Sequence, residues 1–176
     1  MRTRLAICAL ALAACQPLYG GRSEVLKNPP KQPIPAVKPE PIAYVEECTF
    51  DFHSRPATKH RTAQPQVVAS ASQVLTRAEA APETPELGDL VTSSIVSYSR
   101  ALAADPYDPE ATLGLARAYD RVRHKGCALA LLKRLGALAD LPQFASAARP
   151  VARSVDDHAT WFKGYRREAL AALGLP

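Results

Sequence analysis

The sequence predicts an all-α fold of about six helices in antiparallel pairs, and three observations predict it. Of the 176 residues, 47% are hydrophobic but only 6% are aromatic, and much of the apolar content is alanine, which favours helix and close helix–helix approach over a sheet core. From Gln66 onward the apolar residues recur with helical spacing and do not alternate. A packing pattern also returns after 34 residues, where Ser94, Tyr98 and Ala101 are followed by Ala128, Leu132 and Leu135.

The chain opens on a cationic lead, Arg2 and Arg4, followed by the uncharged apolar run Leu5 to Ala14. Ten helical residues span roughly 15 Å, about half the hydrocarbon core of a bilayer, so the run reads as an export signal over 1–14 and not as a membrane span. It ends in Leu12-Ala13-Ala14-Cys15. A branched apolar residue, two small ones and a cysteine resemble the bacterial lipobox. That resemblance implies cleavage before Cys15 and a diacylglycerol on its thiol. Gln16, standing where an aspartate would retain the protein in the inner membrane, implies by the same resemblance an outer-membrane location facing the periplasm. Loss of Arg2 and Arg4 lowers the formal charge from +5 to +3. That excess is too small to argue for nucleic acid, and no aromatic and basic residues interleave as a base-stacking surface requires.

Residues 15–42 form a proline-rich linker behind Cys15, running through Asn28-Pro29-Pro30 to Pro41. Proline at this density forbids helix and biases the backbone to polyproline II. The linker reads as a stiff spacer, with a ligand for a proline-recognising groove as the other use of such a segment. Residues 43–65 form an extended segment and a polar loop. Tyr44, Cys48, Phe50 and Phe52 fall on one face at period two, which predicts a single half-buried extended segment that lies against the helices or pairs with another chain. With Cys8 removed and Cys15 lipidated, Cys48 and Cys127 remain. An oxidising compartment allows one bridge between them. Two buried free thiols are the other reading, and His53, His60 or His124 complete no tetrahedral metal set with them.

The helical domain spans 66–176. Val67, Val68, Ala71, Val74, Leu75 and Ala78 make the face of a first helix, stopped at Pro82. Leu87, Leu90, Val91, Ile95, Tyr98, Ala101 and Leu102 make a second, ending at Asp105-Pro106. Asp108 is an N-cap, with Pro109 in the first helical position and Glu110 in the first turn. The third helix bears Leu113, Leu115, Ala116 and Tyr119. A turn around Lys125-Gly126 leads to a fourth with Ala128, Leu131, Leu132 and Leu135. Phe144 to Val151, broken by Pro150, and Trp161 to Leu173 supply the rest, with Asp156 or Asp157 as N-cap of the last helix. Trp161, Phe162 and Tyr165 read as packing of a terminal cap, with an exposed partner-binding patch as the other reading.

The period of 34, with Leu115-Ala116, Tyr119 and the turns at Asp105-Pro106 and Asp108-Pro109, resembles the tetratricopeptide repeat (TPR). One full repeat runs from Pro109 to about Asp140, after the second half of another. Thr112 stands where the family carries a bulky residue, Leu135 replaces an alanine, and Pro142 comes two residues late. The resemblance implies a solenoid of helix pairs whose first helices line a peptide-binding groove. On that helix Glu110, Gly114, Arg117, Asp120 and Arg121 would face inward, with Arg117 and Arg121 one turn apart and able to grip a carboxylate.

No catalytic constellation accompanies these features. Asp156-Asp157-His158 offers an acid and a base without a nucleophile, and no phosphate-cradling glycine loop or two-histidine metal helix is present. The expectation is a non-enzymatic, lipid-anchored adaptor without cofactor or metal. It binds an envelope protein or peptide segment in a motility, pilus, secretion or outer-membrane assembly complex. The alternative is a small-ligand, cell-wall or metal-binding lipoprotein that uses the 43–65 segment.

Overall fold

The computed structural model describes residues 42–48, 62–80, 85–157 and 161–176. The leader, Cys15, the linker up to Pro41, Phe50, Phe52, His53, His60 and His158 lie outside the described residues. Those described form six α-helices and no strand: α1 Pro65–Ala80, α2 Pro85–Ala104, α3 Pro109–Arg121, α4 Lys125–Asp140, α5 Ala145–Asp157 and α6 Arg166–Ala172, with a 3₁₀ turn at Lys163–Tyr165 before the last. None is long and apolar enough to cross a membrane.

Each of the first four helices packs on the next in chain order, and α3 also touches α1 and α5; α6 lies on α4. Alanine allows this closeness. Ala71, Ala78, Ala101, Ala111, Ala116, Ala118, Ala128, Ala148 and Ala169 are all buried between helices. The residues of the 34-residue period, Ser94, Tyr98, Ala101, Ala128, Leu132 and Leu135, are every one buried.

Helix α3 begins as its sequence requires: the Asp108 carboxylate accepts from the Ala111 amide at 3.0 Å, with Pro109 next. Thr112, the departure from the repeat pattern, is fully buried, and its hydroxyl donates to the Asp108 carbonyl at 2.7 Å. Ser94 is satisfied in the same way by the Leu90 carbonyl at 3.1 Å. Both hydroxyls therefore sit in the core without an unpaired donor. Gly114 is obligatory for a different reason. A Cβ there would meet the Tyr98 ring and stand 2.7 Å from its hydroxyl, so the large ring from α2 fills the space beside Gly114.

Four expectations need correction. Pro150 does not break a helix; α5 runs through it to Asp157. Pro150 and Ser146, the residue four before it, are both exposed, so the carbonyl that loses its amide partner is open to water. Asp156 and Asp157 close α5 and do not cap the last helix. Asp156 instead takes Arg166 at 2.9 Å, and the chain reaches the 3₁₀ turn through Phe162 in the left-handed region (φ 54°). The turn after α3 is Val122–His124, with Lys125 and Gly126 already helical. Finally, 42–48 is not a strand but an irregular strap laid across that turn. Val45 donates to the Arg123 carbonyl at 2.8 Å, and the Gly126 amide donates to the Val45 carbonyl at 3.1 Å. The helix-connecting turn and the first turn of α4 thus supply the hydrogen bonds a partner strand would have supplied.

Candidate functional site

The residues expected on the inner face of α3 meet different neighbours. Arg117 donates to both carboxylate oxygens of Glu79 on α1, each at 3.3 Å. Its guanidinium also lies 3.6 Å from the centroid of the Trp161 ring, a cation–π stack. One side chain thereby joins α1, α3 and the segment after α5. Asp120 is tied as firmly, accepting from the Phe162 amide at 3.2 Å and the Tyr165 hydroxyl at 2.8 Å. Burial raises the Asp120 carboxyl above its ordinary 3.8, opposed by those two hydrogen bonds and by Arg121. Burial likewise lifts Glu79 above 4.5, outweighing the attraction of Arg117. Arg117 and Asp120, two of the expected partner contacts, are therefore committed to holding the fold. Glu110, exposed, stands two turns away on a separate depression of about 390 Å³ with Tyr107 and Phe144, whose rings stack at 4.6 Å.

Arg121 differs. Its Nε, like that of Arg117, is buried without a hydrogen-bond partner among the described residues, but it lines a cleft of about 480 Å³ at the C-terminal ends of α1 and α3. Tyr44 and Ile42 of the strap form one wall, Trp161 another, and Arg123 and Lys163, both exposed, flank the mouth.

The strap is held by several unlike contacts. Cys48 and Cys127, brought to a Cα–Cα distance of 4.7 Å, are joined in a disulfide across 79 residues of sequence. Tyr44 packs edge-on against Tyr165, with ring centroids 5.4 Å apart. Lys125 reaches Glu168 of α6 at 3.0 Å and Glu46 of the strap at 3.6 Å. Gly126 and Gly164 mark where the strap presses. A Cβ at 126 would overlap the Glu46 carbonyl, and one at 164 would lie 2.9 Å from the Tyr44 ring carbon that bears the hydroxyl. Trp161, Phe162 and Tyr165 are buried, as expected of cap packing.

Sequence patterns did not single out Ile42, Arg123 or Lys163, and placed Tyr44 only on one face of an extended segment. They reach the cleft from three separate stretches of chain, and the available signal was Gly164, on which Tyr44 presses.

Burial around Asp120 has a consequence at high pH. Tyr165, buried and facing the Asp120 carboxylate, ionises far above the ordinary 10.0, and burial raises Tyr98 and Tyr119 as well. A raised folded value means stability is complete below pH 10 and is lost as pH climbs above it, because only the unfolded chain releases these protons. Phenolate absorbance from these tyrosines should therefore rise together with loss of helical circular dichroism, in one cooperative step. Their ionisation in a chain that keeps its full helical signal would contradict the burial argument.

No group of three or more His, Cys, Asp or Glu side chains stands close enough to hold a metal ion among the described residues. The chain matches no protein-family model, no curated protein and no solved structure.

Proposed function

We propose that this chain is exported, cut before Cys15 and anchored by lipid on that cysteine, and that it works as a non-enzymatic adaptor. Its TPR-like helix pairs would engage another protein of the bacterial envelope and help assemble or stabilise a larger complex. One observation carries the proposal: α1, α3 and α5 follow one another side by side, while α2 and α4 lie between them in the chain and pack on both neighbours. Stacked pairs of this kind form a continuous surface from their first helices, and Pro109–Asp140 is one such pair with the spacing noted in the sequence. The linker would set that surface away from the membrane. About 27 residues at roughly 3.1 Å each reach up to ~80 Å.

Two measurements test it. Cys15→Ala should abolish incorporation of labelled lipid and release the protein from membranes; retention with labelling would refute the anchor. Mild crosslinking in membranes followed by capture should recover one envelope protein in stoichiometric amount. Recovery of no protein, with zinc or glycan binding in its place, would refute the adaptor.

A further inference from the structure

The cleft at the end of α3 has a charge pattern that general platform binding does not explain. Arg121, Arg123 and Lys163 all line it, and none forms an ion pair among the described residues. Its two carboxylates are already engaged, Glu79 by Arg117 and Asp120 by Tyr165 and the Phe162 amide. Counting Arg117, which neutralises Glu79, four cations stand against two carboxylates and leave a positive excess at the cleft. An anionic ligand balances that excess, and a carboxylate meets less repulsion from Glu79 and Asp120 than a phosphate dianion does.

The remaining lining is largely apolar: Ile42 is 56% exposed, Tyr44 is half-buried, and Trp161 is buried in the wall of the cleft. At about 480 Å³ the cleft falls within the range of small-ligand sites. Its rim is also built with care. Arg123 (φ 63°) and Phe162 (φ 54°) are the two non-glycine residues with positive φ among those described. Arg123 occupies the position after a helix end where glycine fits at least cost, yet the chain carries a cation there. Phe162 stands between the lining residues Trp161 and Lys163.

We infer that this cleft is a recognition pocket for a short peptide in which an acidic residue stands next to an apolar one. The carboxylate is received by Arg121, Arg123 and Lys163, and the apolar side chain lies against Ile42, Tyr44 and Trp161. Resting on the adaptor reading above, this moves recognition away from Arg117 and Asp120 to the strap-walled end of α3. A layer of anionic lipid headgroups fits less well, because the cations line a concavity that they share with two carboxylates.

Trp161 is the chain's single tryptophan, so the full-length lipidated protein in detergent reports on this pocket directly. Titration with an acetylated and amidated hexapeptide of alternating leucine and glutamate should change its fluorescence saturably, with affinity falling as salt rises. The glutamine twin of that peptide should bind at least about tenfold more weakly. Arg121→Gln and Lys163→Gln should each weaken binding about three- to tenfold at unchanged thermal midpoint. Equal binding of the two peptides would overturn the pocket, as would inorganic phosphate or phosphatidylglycerol vesicles displacing the peptide at lower concentration than the peptide itself needs. The two proposals can fail separately. If crosslinking recovers a partner that the triple variant Arg121→Gln, Arg123→Gln, Lys163→Gln still holds, the pocket falls and the adaptor stands. If the peptide binds but no partner is recovered, the adaptor falls and the pocket stands.

Discussion

Replacing Cys48 and Cys127 together with serine should lower the unfolding free energy by roughly 4–5 kcal/mol, the chain-entropy value for a loop of this length. The bridge closes 79 residues of sequence, enclosing α1, α2 and α3, so the unfolded chain gains freedom over half of the helical domain when it is cut. Against a total stability of about 5–15 kcal/mol for a domain of this kind, the loss is large. The native contacts that remain at the strap are few: the Val45 hydrogen bonds to the turn, Tyr44 on Tyr165, and Lys125 between Glu46 and Glu168. Exposed ion pairs contribute little, about 0–1 kcal/mol each, so they do not replace the bridge. Denaturant titration should show a lower midpoint and a steeper slope, because an uncrosslinked unfolded state exposes more surface. Wild-type protein under reductant should superimpose on the double variant. A loss below about 1 kcal/mol would mean the unfolded chain is already compact around these residues.

Tyr98→Ala should cost about 3–5 kcal/mol, the range for removing a large buried ring. Tyr98 is 2% exposed and is the largest of the fully buried side chains among the described residues. Its partner across the α2–α3 interface has no side chain at all, and the clash of a Cβ at Gly114 with the ring makes the coupling a matter of sign. Gly114→Ala alone should destabilise by about 1–3 kcal/mol through overpacking. In the Tyr98→Ala background the same change fills part of the cavity and gains up to about 1 kcal/mol of helix propensity, so it should be neutral or stabilising. A double-mutant cycle by thermal or denaturant unfolding reads this directly. Additive effects would show that Tyr98 and Gly114 are not in the contact described.

The existence and start of α3 were legible from Asp108, Pro109 and the apolar spacing of Leu113, Leu115 and Ala116, and the structure starts the helix at Pro109 with the Asp108 cap in place. Ser94, Tyr98, Ala101, Ala128, Leu132 and Leu135 were legible as core because helical period places them on one stripe. Capping and periodicity are interactions within one or two turns, so the residues that make them lie side by side in the chain. Pro150 shows where such local signals stop: the cost of a missing amide depends on whether the freed carbonyl reaches water, which is set by the face α5 turns outward.

The candidate site was legible only in part for the same reason. Helical spacing put Glu110, Gly114, Arg117 and Arg121 on one face, and nothing local distinguishes an arginine that meets solvent from one that meets Glu79. The sequence by itself determined the all-α class, the repeat spacing from Pro109 to Asp140 and the pairing candidates Cys48 and Cys127. Tertiary structure decided that Arg117 and Asp120 hold the fold while Arg121 lines an open cleft, because their partners lie 38 to 45 residues away in sequence. A charged side chain's role is set by what burial and distance bring beside it, and those are properties of the packed chain and not of its neighbours along it.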